Sequence, residues 1–451
     1  MKITDSYPGL LYLLVLAVYL PGLVAAVRSP RLAAMPVVTF TFLGMFLFTA
    51  AGSWQVMTQM HYTVRPSGDA TWASAALGTL GSGQFVVMLL IQALLFYAIA
   101  GPYAYLKKGS ILVQDPPALP DVALRVILAL ATVIVLEMYY LKVGRFLFFD
   151  LLEGKINRVN ILEFRALTYG LKEYPFFRLG FLVFPALIAA LTVAIASARG
   201  RIRLGDLLWI GCCLIPPLLL AEKSAILNMS AVVFIAYCLH LGMRQRSLSS
   251  ALNTKTVAIV ALAFLPTAVT YLIYFSTLSD NYLEVVNQFV FRIAGVYSQS
   301  LAATVGFVDA HGYLNGATLP NLKGLLSHER FNLEAAMQLF LGGIDIYPKS
   351  VIAGSTPVPA TGEGYVNFGW PGFVLFGAAS FFCMILIQEL LLRLRIGATG
   401  WALSAWYGYL GFTLFTTSLF ATFVSLTHTL VAASLIALRH VIGRILHWGQ
   451  S

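Results

Sequence analysis

Leu179-Gly-Phe-Leu-Val-Phe-Pro-Ala-Leu-Ile-Ala-Ala-Leu-Thr-Val-Ala-Ile-Ala-Ser-Ala198 carries no charge and runs straight into Arg199-Gly-Arg201-Ile-Arg203. A helix of about 20 such residues spans the roughly 30 Å hydrocarbon layer of a bilayer. The arginines that follow mark the point where the chain returns to water, and they bias that end toward the cytoplasm. One stretch therefore fixes both the solvent of the fold and a first orientation.

The rest of the chain repeats the pattern. Of 451 residues, 59% are hydrophobic and 11% charged, with a mean hydropathy of +0.82. A soluble domain carries about 25% charged residues, so this chain cannot cover a globular surface with solvated groups. An all-α polytopic membrane protein is expected. Eleven membrane segments are predicted: Leu10–Val27, Ala33–Trp54, Gln84–Leu106, Ala123–Tyr140, Leu179–Ala198, Leu207–Leu220, Ser224–Leu241, Thr256–Phe275, Phe373–Leu392, Trp401–Thr417 and Leu419–Arg439. No small-residue cleavage site follows the first, which is expected to stay as a helix. Glu137 is read as the one charge clearly inside a helix. The four cysteines lie in apolar runs and are read as buried small hydrophobes, not metal ligands.

The net charge of +10 is distributed as membrane flanks, which argues against a nucleic-acid surface. One set of connectors holds Arg28/Arg31, Lys107/Lys108, Arg199/Arg201/Arg203, Arg244/Arg246/Lys255, Arg393/Arg395 and Arg439/Arg444, with Asp115, Asp121, Asp206 and Glu389 as its acids. The opposite connectors are balanced. The rule that cations stay inside puts the first set in the cytoplasm, with the amino terminus outside and the carboxyl terminus inside.

Two outward loops follow. Residues 141–178 mix aromatics and cations, as an interfacial helix does. Ser276–Gly372 is longer and more polar, and functional residues collect in such loops. Arg292 interrupts the apolar Phe289-Val-Phe-Arg-Ile-Ala-Gly295, where a cation needs an anionic partner, unless it snorkels to the interface or forms a structural salt bridge with Glu284 or Asp309. Lys223 sits at a helix start beside Glu222, and a cation there makes an anion site or an interfacial anchor. Arg165 has Glu163 close by and reads first as a solvated charged face; Arg145 and Arg178 are weaker anion-site candidates. Glu363, in Thr361-Gly-Glu-Gly-Tyr-Val-Asn-Phe-Gly369, is either a partly buried general base, a cap of the helix that follows or an ion-pair partner of Arg292. Its flanking glycines are read as letting the backbone approach a ligand. His311 and His328 are alternative proton acceptors, more simply read as exposed, and His428 as a hydrogen bonder inside the bundle. Phosphate-loop, dinucleotide, HExxH, CxxC and serine-elbow motifs are absent from the sequence.

With these residues in view, the chain resembles the O-antigen polymerase (Wzy-type) and oligosaccharide repeat-unit polymerase families. The resemblance rests on the helix–Lys223–helix turn, on Arg292 early in the large loop, and on Glu363-Gly-Tyr365-Val-Asn367-Phe-Gly-Trp-Pro-Gly372, which looks like that family's Glu-x-Tyr-x-Asn-Phe-Gly motif. Lys223 stands where relatives tend to carry arginine, a point charge in place of a planar fork. The resemblance implies a GT-C-like fold in a bacterial inner membrane, with the large loop between helices 8 and 9 facing the periplasm. It also implies a metal-independent, cofactor-free, inverting transfer of undecaprenyl-diphosphate-linked oligosaccharide onto another lipid-linked repeat unit. A chain-length co-polymerase would be a partner beside membrane lipid. Arg292, Lys223, Arg165 and Arg145 would hold the diphosphate, Glu363 would take the acceptor proton, and Tyr365 and Asn367 would belong to the same site. Two alternatives stay open: an O-antigen ligase-type transferase using a histidine base, and a lipid-linked sugar transporter.

Overall fold

The computed structural model describes residues 8–57, 83–107, 119–153, 155, 175–220, 223–252, 286, 294–320, 331–341, 356–394, 397–420 and 422–448. Its regular structure there is helical throughout. The main helices are α1 (Pro8–Arg28), α2 (Pro36–Met45), α3 (Gly83–Leu106), α4 (Leu119–Val143), α5 (Phe184–Ala198), α6 (Leu204–Cys212), α7 (Lys223–Met243), α8 (Val296–His311), α9 (Leu333–Leu341), α10 (Ala360–Arg393), α11 (Gly397–Phe412) and α12 (Leu426–Trp448). Seven helical stretches among the described residues are long and apolar enough to cross a membrane. The chain is thus a helical, membrane-embedded protein. The expected segment Thr256–Phe275 lies outside the described residues.

At the centre, α11 packs on α2, α5 and α7 and is buried almost along its whole length. Small residues set the closeness of its crossing with α2. A Cβ at Gly44 would come 2.0 Å from the Phe412 carbonyl oxygen, and one at Gly411 would come 2.3 Å from Thr41 Oγ1. Lipid removes the hydrophobic drive between helices, so backbone proximity of this kind supplies the packing energy. Exposed Leu130, Val133 and Ile134 on α4, and Leu430, Val441 and Ile445 on α12, give those helices outward apolar faces.

Prolines and polar turns correct several expected segments. Ala33–Trp54 starts instead at Pro36, then shifts to a π-helix at Phe46–Ala51 and a short helix at Ser53–Met57. Leu207–Leu220 breaks into α6 and Ile215–Leu219, because Pro216 and Pro217 withhold the amides that would continue the helix. Leu419–Arg439 moves to α12: Thr422 bonds back to the Ser418 and Leu419 carbonyls and holds a turn before Leu426. Arg439 therefore lies inside a helix. Cys212 is exposed, against the expected burial. His428 stands edge-on to Trp406 at 5.5 Å, and its Nδ1 has no partner among the described residues. Arg125 lies within α4 as well as Glu137, so Glu137 is not alone.

The structure also gathers members of the basic connector set at one end of the bundle. Lys107 meets Glu389 at 2.7 Å, and Arg199 meets Asp206 at 2.6 Å. Asp121 Oδ1 accepts from Arg439 Nε at 2.9 Å and from Thr399 Oγ1 at 2.7 Å. The Thr399 amide adds a third bond at 3.2 Å, so Asp121 also caps the start of α11. Gln388 serves α2 in the same way, accepting from the Val37 amide at 3.0 Å.

Candidate functional site

At the opposite end, the described parts of the loop read from sequence are largely packed into the bundle. α8 carries Ser298, Gln299, Ser300 and Thr304, a composition that suggests solvent, yet all four are buried. Several of their hydroxyls reach neighbouring backbone. Ser298 donates to the carbonyls of Phe48 and Thr49, at 2.9 and 3.0 Å, in the π-helical stretch beside α2. Ser300 donates to Pro357 at 2.6 Å. A buried hydroxyl is tolerated when its hydrogen bond is made.

α10 is a single helix in name alone. Gly369 has φ 66° and ψ −147°, a backbone conformation that L side chains avoid, and Pro371 then opens a new helix. The chain reverses there. A Cβ at Gly364 would lie 2.3 Å from the Gly372 carbonyl oxygen, and the Thr361 methyl would lie 3.3 Å from one at Gly377. Residues eight and sixteen apart touch, so the half-helix 360–368 runs back along 370–393 as a helical hairpin. Gly362 faces α8 in the same manner, 3.1 Å from the Thr304 methyl. The glycines flanking Glu363 therefore admit neighbouring helices.

The carboxyl end of the half-helix is closed by residues 312–320. Leu314 and Asn315 amides donate to the carbonyls of Val366 and Asn367, at 3.0 and 3.2 Å. Gly312, Asn315 and Gly316 all take positive φ, which lets the loop turn back onto the helix. Asn367, fully buried, ties the two pieces together. Its Oδ1 accepts from the Gly316 amide at 2.9 Å, which fixes the amide orientation. Its Nδ2 donates to Thr318 Oγ1 at 2.7 Å and to the Glu363 carbonyl at 2.8 Å. Thr318 Oγ1 in turn donates to Glu363 Oε1 at 2.9 Å. Because the hydroxyl accepts from Asn367, its own proton points at Glu363, and Oε1 is held as an acceptor.

Glu363 is 3% exposed, on the same helix face as Asn367 one turn later. The other end of the half-helix begins at Pro359, which brings no side-chain cap. It lies beside Gly377, about 12 Å along α10 from the turn at 1.5 Å per residue. Thr361 Oγ1 is buried there without a partner among the described residues. Leu95 of α3 reaches the same glycine, and Gln92, one turn before it, is fully buried with neither amide atom bonded among the described residues.

The residues singled out from sequence separate. Arg292, Arg165 and His328 lie outside the described residues. Lys223 is the first residue of α7, as expected of a helix start. Arg145 is exposed, at 3.4 Å from Asp150, beside a separate aromatic cluster of Tyr139, Phe146, Phe177 and Phe181. Arg178 is exposed at the end of a four-residue helix, Pro175–Arg178. His311 ends α8, half-buried between the rings of Phe307 and Phe340; its Nδ1 donates to the Phe307 carbonyl at 3.2 Å. It is not simply exposed. Tyr365 is buried edge-on to Trp370 at 5.6 Å. Thr318 and Gln92 were missed: their burial depends on partners far along the chain, although the Asn315-Gly316 turn near Thr318 is visible in sequence. No family model, curated protein or solved structure matches the chain.

Proposed function

We propose that the chain is a polymerase of the O-antigen (Wzy) type, transferring a polyprenyl-diphosphate-linked oligosaccharide onto another lipid-linked repeat unit. The observation that carries this reading is Glu363: buried, on a half-helix folded back into the bundle, with Oε1 oriented by the Thr318–Asn367 relay. A carboxylate held as an acceptor in a dry setting is suited to take a hydroxyl proton.

In this reading the acceptor hydroxyl oxygen bonds to the donor's anomeric carbon as the bond from that carbon to the diphosphate oxygen breaks. Its proton passes to Glu363, and the polyprenyl diphosphate leaves with the bonding pair. Arg292, Lys223 and Arg165 are assigned to the diphosphate. The amino end of the half-helix, with Thr361 and Gln92 nearby, offers donors at membrane depth, as broken helices do for anionic groups elsewhere. Arg145 is left out of this set because it has Asp150. The eleven-span, GT-C-like arrangement belongs to the same proposal, as does an inner-membrane location with the Glu363 end facing the periplasm.

The test is purified protein with a purified undecaprenyl-diphosphate repeat unit, read as a ladder on a gel. Glu363→Gln is expected to reduce added repeats by about 10² to 10⁴-fold at unchanged protein abundance; a near-normal ladder removes Glu363 from the role of base. A second reading, a ligase that adds one chain to a different acceptor, draws on His311. With the proton on Nδ1, Nε2 is the basic nitrogen of that ring. A single transfer onto added lipid A, lost in His311→Ala and kept in Glu363→Gln, would select it.

A further inference from the structure

Far from Glu363, at the end of the bundle that collects the basic connectors, Arg125 is set up to bind something the described chain does not provide. It sits on α4, six residues in from Leu119 and so about 9 Å along the helix. Its guanidinium carbon lies 4.6 Å above the Trp209 ring of α6. One terminal nitrogen points at Thr192 Oγ1 of α5, at a long 3.5 Å, while that hydroxyl gives its own proton to the Ile188 carbonyl at 2.8 Å. The Nε–H is buried and has no acceptor among the described residues.

The carboxylates that would normally answer such a group are already engaged. Asp121 lies one turn away on the same helix, the usual spacing for an ion pair, but its Oδ1 takes Arg439 and Thr399. Asp206 is one turn from Trp209 on α6, and its two oxygens take Arg199 Nη2 at 2.6 Å and the Arg203 amide at 2.9 Å. Arg201 and Arg203 stand exposed on the connector that leads into α6. With Arg439 included, the patch therefore holds five arginines against two carboxylates. Its rim is apolar: Val122 and Val126 on α4, and Leu204, Leu207 and Leu208 on α6, are 38–73% exposed.

We infer that Arg125, Trp209 and the Arg199–Arg203 connector form a binding site for the phosphate headgroup of an anionic phospholipid. A planar guanidinium matches a phosphate through paired N–H donors, and the indole keeps the plane fixed. The exposed valines and leucines supply the surface along which acyl chains lie. Basic pockets at helix ends bind lipid headgroups on this physical basis. A free phosphate shares the headgroup chemistry but makes no use of the apolar rim.

The experiment uses full-length protein reconstituted in phosphatidylcholine nanodiscs, with retention of phosphatidylglycerol measured by mass spectrometry against added inorganic phosphate. Phosphatidylglycerol is expected to be enriched over phosphatidylcholine, and Arg125→Gln should lower that enrichment about fivefold, from roughly 1 kcal/mol per basic residue near a membrane surface. Arg125→Lys keeps the charge and should lose less. Arg201→Gln with Arg203→Gln, both on the exposed rim, tests the site without touching a packed residue and should lower enrichment as well. Equal retention of the two lipids overturns the inference, as does enrichment undiminished in every variant. Millimolar inorganic phosphate that displaces all bound phosphatidylglycerol overturns the lipid assignment in favour of a free-phosphate site.

Discussion

At one end of the bundle Asp121, Asp206 and Glu389 meet Arg439, Arg199 and Lys107 at 2.9, 2.6 and 2.7 Å. At the other end Glu363, Thr318 and Asn367 meet one another through side-chain hydrogen bonds of 2.9 and 2.7 Å. In the first arrangement two of the three pairs bind helices that are distant in sequence, and Asp121 also caps the start of α11. The second spends two polar side chains, Thr318 and Asn367, on orienting a single carboxylate oxygen of Glu363. Charges closed in pairs hold a structure together, whereas the hydrogen bonds at Glu363 aim one of its oxygens. Substitutions at the two ends should therefore report on different things.

The largest effect is expected from Asp121→Ala. It leaves Arg439 without its carboxylate and uncaps α11, and breaking a buried pair costs about 3–5 kcal/mol. Thermal unfolding in detergent should shift strongly, while the fraction that stays folded should keep its rate per molecule. A loss of rate without loss of stability would erase the distinction between the two ends.

Gly364→Ala comes next. Its methyl would meet the Gly372 carbonyl oxygen, and overpacking costs about 1–3 kcal/mol. Because the strain falls inside the hairpin that carries Glu363, stability and product should fall together. Retained product would mean that the half-helix can tilt without moving the carboxylate.

How much of this was legible in the sequence depends on what each residue's environment required. Leu179–Ala198 appears in the structure with the same bounds, because an uncharged run followed by arginines leaves one solution in a bilayer. The basic connectors and their acids stand out in the sequence, but which of them pair does not: Asp121 with Arg439 joins residues 318 apart. The half-helix 360–368 was hidden. Its glycines weaken helix propensity, and their value lies in contacts with Gly372 and α8 that no local pattern announces. α8 was hidden for the opposite reason. Ser298 and Ser300 look solvated until the carbonyls of Phe48 and Pro357 are seen beside them. Arg125 was overlooked because the groups that frame it, Trp209 and Thr192, come from other helices.

Thr318→Val sharpens the comparison at smaller scale. It keeps the side-chain shape, removes the donor to Glu363 Oε1, and leaves Asn367 Nδ2 with the Glu363 carbonyl among its described acceptors. A lost bond to a buried polar group is worth about 1–3 kcal/mol, so a rate loss of roughly tenfold is expected with modest loss of stability. The readout that separates orientation from packing is the split between kcat and KM. On the proposed role of Glu363, misdirecting its carboxylate should lower kcat at near-constant KM. A fall in unfolding temperature with kcat unchanged would place Thr318 among the structural contacts instead.

Lys107→Gln is expected to do least. Lys107 and Glu389 are 30% and 18% exposed at their side chains, and Glu389 keeps Arg393 at 2.8 Å and the Tyr103 hydroxyl at 3.2 Å when the lysine is gone. Exposed pairs contribute about 0–1 kcal/mol, against several for Asp121. The two substitutions remove one member each from ion pairs at the same end of the bundle, and they differ in burial. A thermal shift for Lys107→Gln as large as that for Asp121→Ala would mean that the α3–α10 contact, and not burial, decides which pairs hold this end closed.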